Sequence, residues 1–135
     1  LALIYIFTLT AILLQTSGTA HAQDVIVKLA DGTEIEVNEF YFFSNNGTGR
    51  NSNPHDGFEA KRKGTIEKTY NFSSIRKIDV NYDDGSYKTK ITFDNGDVEK
   101  CTKSDVHYIM GEDKRGNEIE IATHELGEYS VIFKD

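Results

Sequence analysis

The chain has 135 residues, with 15 Lys plus Arg against 22 Asp plus Glu, a formal charge of −7 and a single Cys. At that length one domain is the expectation, because two independent cores need more chain. The acid excess argues against the broad basic footprint of a nucleic-acid binder, and one Cys excludes both an internal disulfide framework and a Cys-rich zinc module.

The first 22 residues carry no Asp, Glu, Lys or Arg. Leu1 to Leu14 is an almost unbroken apolar run, Gln15 to Thr19 is polar or small, and Ala20-His21-Ala22 has the small-residue pattern that a signal peptidase accepts. A membrane-spanning helix needs about 20 apolar residues, more than this run supplies. The pattern predicts a signal peptide over 1–22, its basic start expected upstream of Leu1, and an exported domain over 23–135. The rival is an uncleaved anchor. On the favoured reading the domain is periplasmic or extracellular, has no stable membrane span once the leader is removed, and carries the whole −7.

From residue 23 onward helical periodicity is nearly absent and alternation at period two recurs. Val25, Val27 and Leu29 alternate up to a turn at Asp31-Gly32, and Ile35 and Val37 continue beyond it. Phe40-Tyr41-Phe42-Phe43 follows out of phase, so a β-bulge near Asn38-Glu39 is the simplest connection. A short helical turn is expected over Ser73 to Lys77. Ile78, Val80 and Tyr82 then alternate up to Asp83-Asp84-Gly85, and Tyr87, Thr89, Ile91 and Phe93 up to Asn95-Gly96, a strong hairpin signal. Val106, Tyr108 and Met110 precede a turn around Lys114 to Asn117, with Ile119, Ile121 and finally Tyr129, Val131 and Phe133 after it. The segments starting at Val27 and Ile91 share an apolar-x-apolar-x-acid/amide-Gly core. Eight or nine short strands predict an all-β fold, a single small antiparallel β-sandwich or barrel-like domain.

One tract breaks the rhythm. Residues 44–64 are rich in Gly, Asn and Ser and read as a long loop, with Arg50, Lys61, Arg62 and Lys63 against Asp56 and Glu59. Beside it, Tyr41 and Phe43 point to the face opposite Phe40 and Phe42. They are either core on a second covered side or an exposed aromatic patch.

Other candidate chemistry is sparse. His55, His107 and His124 are the histidines available for a metal after the leader, but no pair has the i, i+2 or i, i+4 spacing of two ligands on one face. Asp79, Asn81 and Asp83 imitate the first half of a calcium loop, which then fails because Asp84 stands where Gly is needed and Lys90 where Glu is needed. No nucleophile elbow, phosphate loop or zinc-protease motif occurs, and no cofactor is implied. Cys101 with His107 or His124 is the sole thiol–imidazole option, and a small buried hydrophobe is the simpler role for it.

These observations favour a non-enzymatic exported domain that binds an unknown protein or anionic ligand, or serves a structural role. Its expected contacts are Tyr41, Phe43, Arg50, Lys61, Arg62 and Lys63, a positive patch suited to an anion or to another copy's acidic strands. Two alternatives stand beside it. One is a small hydrolase or metal-binding protein with a site under the 44–64 loop, using His55, His107 or His124. The other is a structural or surface protein that self-associates through open sheet edges.

Overall fold

A computed structural model describes residues 23–44, 56–62, 67–83, 86–103 and 108–134. Among them are ten strands and two short 3₁₀ turns, with no α-helix. The strands are β1 (Gln23–Leu29), β2 (Glu34–Phe43), β3 (Gly57–Arg62), β4 (Glu67–Asn71), β5 (Ile75–Asp83), β6 (Ser86–Phe93), β7 (Val98–Lys103), β8 (Tyr108–Glu112), β9 (Glu118–Ala122) and β10 (Glu128–Phe133). All pairings are antiparallel, in the order β4-β3-β7-β6-β5-β10-β1-β2-β8-β9. Eight of these strands run continuously from β4 to β2, and β8 and β9 extend the sheet beyond a register shift in β2.

Alternation assigns the two faces. Val25 and Val27 on β1, Tyr129, Val131 and Phe133 on β10, and Ile78 and Val80 on β5 are all buried and directly paired across the strands. Ile91 on β6 and Cys101 on β7 extend the same buried face. The residues between them, such as Lys28, Ser130, Asp79 and Lys90, point the other way. Antiparallel sheets with one covered and one solvated face show this alternation.

The sheet also curls. Phe40 and Phe42 on β2 are fully buried, and the Phe40 ring centroid lies 5.2 Å from Phe72, in the 3₁₀ turn after β4, and 5.9 Å from Phe133. β2 and β4 stand at remote positions in the sheet order, so only curvature brings these rings together. No pairing among the described residues joins β4 to β9, and the sheet is not closed.

Three hairpins turn in the same way. In the turns Leu29–Thr33, Phe93–Asp97 and Asp113–Asn117, the first residue's N–H donates to the fifth residue's carbonyl (2.8–2.9 Å) and the glycine N–H donates back to the first residue's carbonyl (3.0, 2.9 and 3.0 Å). Gly32, Gly96 and Gly116 have φ of 90°, 92° and 83°, the left-handed position of a three-residue hairpin loop with a glycine bulge. The similarity between the Val27 and Ile91 segments is therefore shared turn chemistry, and a third turn has the same form.

The expected phase shift in β2 is present. Glu39 has φ of 52°, and pairing slips between Asn38 and Tyr41, so Val37 and Phe40 both face the core. The slip brings this backbone against Gly111 on β8. A Cβ on Gly111 would meet Val37 Cγ1 and lie 2.6 Å from the Asn38 carbonyl oxygen.

Two expectations need correction. The tract 44–64 is not loop throughout, because Gly57–Arg62 is strand β3, paired with both β4 and β7. Its apolar alternation is only two residues long, Phe58 and Ala60 between Glu59 and Lys61, and backbone pairing on both sides supplies what so short a pattern lacks. This strand, β4 and β7 bring the count to ten rather than eight or nine. The helical turn lies at Phe72–Ser74, not Ser73 to Lys77, because the Asn71 side chain accepts from the Ser73 N–H (2.9 Å) and Ile75 is already buried in β5. The proposed leader, residues 1–22, lies outside the described residues.

Glu36 ties distant parts of the chain. Its carboxylate accepts from Lys134, just past β10, and lies 3.1 Å from Lys114 Nζ in the β8–β9 turn. Those two lysines hold the Glu36 carboxyl below its ordinary range. A depressed folded-state pKa contributes stability above the ordinary carboxylate range that is lost as pH falls through the folded value.

Two outcomes are expected. Gly111→Ala should destabilise the fold by roughly 1–3 kcal/mol in denaturant melts, because neither Val37 nor the bulged backbone has room to yield. Glu36→Gln should flatten the fall in melting temperature below about pH 4 while leaving the neutral-pH fold intact by circular dichroism.

Candidate functional site

The outer face of the sheet has ladders of its own. Register places Ser130, Asp79, Lys90 and Lys100 in one row across β10, β5, β6 and β7, and Glu128, Asn81, Lys88 and Thr102 in the next. These rows stand about 7 Å apart, two residues along each strand, and span about 14 Å across four strands. Between them the backbone of Tyr129, Val80, Thr89 and Cys101 forms the floor, since those side chains belong to the opposite face. The result is a shallow open trough of about 820 Å³.

The trough is electrically polarised. Its β10–β5 end holds Glu128, Asp79 and Lys77, and its β6–β7 end holds Lys88, Lys90 and Lys100. Asp79 is already heavily engaged. It accepts from Ser130 Oγ (2.6 Å) and lies 3.3 Å from Lys77 Nζ and 3.9 Å from Lys90 Nζ. Lys90 faces Lys100 directly across the β6–β7 pair, and Lys100 makes no ion pair among the described residues. Two like charges opposed on a sheet repel, so this arrangement costs stability. The lining has two more cations than anions, in a chain whose net charge is −7.

A second patch occupies the far end of the same face. Tyr41 pairs with Met110 and Phe43 with Tyr108, and Glu120 and Ala122 stand opposite Met110 and Tyr108 on β9. Tyr41, Phe43, Tyr108 and Met110 are all half-buried, and the Phe43 and Tyr108 ring centroids are 6.2 Å apart. Tyr41 and Phe43 thus belong to neither a sealed second core nor a bare patch. Next to them Glu112 and Glu118 face one another, with Glu120 two residues along β9. None of the three carboxylates makes an ion pair among the described residues.

The other expected site residues fall apart from this geometry or beyond it. Lys61 and Arg62 end β3, at register positions opposite Thr102 and Cys101, which puts their backbone beside the lysine end of the trough. Arg50, Lys63, His55 and His107 lie outside the described residues. His124 sits exposed in the 3₁₀ turn Thr123–Glu125, its Nε2 4.0 Å from Glu125 Oε1. Among the described residues no group of three His, Cys, Asp or Glu side chains gathers to hold a metal ion. Cys101 is buried in the core face, opposite Thr89.

Lys77, Lys88, Lys90 and Lys100 were not among the expected site residues, yet their signal is in the chain. Alternation in β6 places Lys88 and Lys90 on one face, and the Asn95-Gly96 turn sets the register that brings Lys100 opposite Lys90. Compared with known proteins, no family model, no curated protein and no solved structure matches this chain.

Opposed lysines carry their own test. Lys100→Glu places a carboxylate across from Lys90 and should raise stability by about 0.2–1 kcal/mol in urea melts at low salt, an increase that shrinks as salt is added.

Proposed function

We propose that this protein is an exported, non-enzymatic β domain that binds an acidic protein surface through the lysine end of its outer-face trough. The observation that carries the reading is the Lys90–Lys100 opposition with Lys88 alongside. A fold that only needed a solvated face would gain stability from mixed charges at those positions, as it has at Asp79 with Lys77 and Lys90. Concentrating three cations on one patch of an acidic body provides a focus for carboxylates and steers their approach.

Export is supported by the uncharged apolar segment 1–22 and its Ala20-His21-Ala22 end, which favour a periplasmic or extracellular domain. In architecture the reading is of an open, barrel-like sheet, supported by the meeting of Phe40, Phe72 and Phe133 from remote strands. Tyr41 and Phe43 enter as a separate apolar contact at the opposite end of the same face, and Lys61 and Arg62 adjoin the lysine end by register.

The direct probe is a fluorescent polyglutamate peptide titrated at rising salt. Binding should weaken as ionic strength increases, and Lys88→Glu/Lys90→Glu/Lys100→Glu should weaken it about tenfold or more while circular dichroism at the binding temperature shows the sheet retained. Salt-independent binding, or binding that the triple reversal leaves intact, overturns the reading.

A further inference from the structure

The lysine cluster and the carboxylate cluster lie on one face of one sheet, and their shapes match. Lys90 has Lys100 directly across on β7 and Lys88 two residues along β6. Glu118 has Glu112 directly across on β8 and Glu120 two residues along β9. Each set is a right-angled triangle with one leg of about 5 Å across the strands and one of about 7 Å along them.

The handedness of the two triangles follows from the topology. Every neighbouring pair is antiparallel, so β6 and β9, separated by five strands in the order β4-β3-β7-β6-β5-β10-β1-β2-β8-β9, run in the same direction. β7 and β8 lie on the same side of β6 and β9 respectively. Lys88 precedes Lys90 along β6, whereas Glu120 follows Glu118 along β9. Viewed from outside, the two triangles are therefore mirror images of one another. Two surfaces that meet face to face must be related in that way. When one copy is turned over onto another, Glu118 falls on Lys90, Glu112 on Lys100 and Glu120 on Lys88 in a single placement.

We infer that the acidic surface bound by the lysine end of the trough is the β8–β9 end of a second copy of this chain, so that the protein self-associates head to tail. This rests on the binding reading above and names its partner. Both clusters carry the same kind of internal cost, a like-charge pair directly opposed, and one contact relieves both. The half-buried Met110 adjoins the carboxylates and comes to rest over Thr102 in the same placement, so the contact continues past the three charge pairs. The patches differ, so the contact is heterologous and each copy retains one free lysine end and one free acidic end. Such contacts propagate into open chains unless a ring closes.

Light scattering and sedimentation of the purified protein, at low salt and across protein concentrations, test this. The average mass should rise past that of a dimer over about 10 µM to 1 mM protein and fall back to monomer as salt is added. Lys90→Glu alone and Glu118→Lys alone should each weaken association several-fold, and the double swap, which restores the net charge and the pair, should recover it. Mixing Lys88→Glu/Lys90→Glu/Lys100→Glu with Glu112→Lys/Glu118→Lys/Glu120→Lys should restore the assembly that neither forms alone. A wild-type protein that stays monomeric throughout, association indifferent to these reversals, or a double swap that fails to recover overturns the inference. Polyglutamate binding that persists in a strictly monomeric protein would leave the acidic-surface reading standing while removing the second copy as its partner.

Discussion

Strand β10 holds the sheet together. β10 lies between β5 and β1, and Val131 is fully buried between Ile78 on one neighbour and Val27 on the other. One side of it carries β5, β6, β7, β3 and β4, and the other carries β1, β2, β8 and β9. Among the described residues neither half shares a pairing with the other except through this strand, although the Phe40–Phe72 contact bridges them. β10 is therefore the seam on which both register systems depend. A one-residue slip there would turn Val131 outward and bring Ser130 and Ile132 into the core.

That parity constraint also shapes the outer face. Once the core claims Val80, Thr89, Ile91 and Cys101, the residues between them must stand on the other side whatever their charge. The sheet then aligns them into cross-strand rows, and register alone decides which charges meet. Asp79 meets lysines and Ser130, a favourable arrangement. Lys90 meets Lys100, and Glu112 meets Glu118, both unfavourable. The core face carries a cost of its own in Thr89, whose buried hydroxyl makes no hydrogen bond among the described residues. Buried costs of that kind are packing compromises. Exposed like-charge pairs differ, because a single substitution on the surface removes them without disturbing the core.

Much of the architecture was legible from alternation and turn residues. β1, β5, β6, β9 and β10 announce themselves through apolar residues at period two, and the hairpins through Asp31-Gly32, Asn95-Gly96 and Arg115-Gly116. The β2 bulge was readable from the clash of phase between Val37 and Phe40. β3 and β4 were not, since β3 contributes only Ala60 and β4 only Tyr70 to the buried core among their described side chains. Pairing partners, rather than their own hydrophobicity, make them strands. The candidate site was harder still. Tyr41 and Phe43 stood out because four aromatics in a row are unusual, whereas Lys88, Lys90 and Lys100 look like ordinary solvated lysines until register stacks them together. The basic residues of the 44–64 tract are the more conspicuous in the sequence, and its described end, Lys61 and Arg62, adjoins the same place by register.

The arrangement separates a binding face from a merely soluble one through the sign of two effects. On a face selected only for solubility, placing a carboxylate at Lys100 improves the sheet and nothing opposes it. On a face that recruits carboxylates from outside, the same change improves the sheet and weakens recruitment, so stability and association move in opposite directions. The same antagonism holds at Glu118, where a lysine would relieve the repulsion from Glu112 and remove one of the charges offered to a neighbour. On the head-to-tail reading proposed above the two antagonisms belong to one contact, so relieving the repulsion at either site weakens the same association.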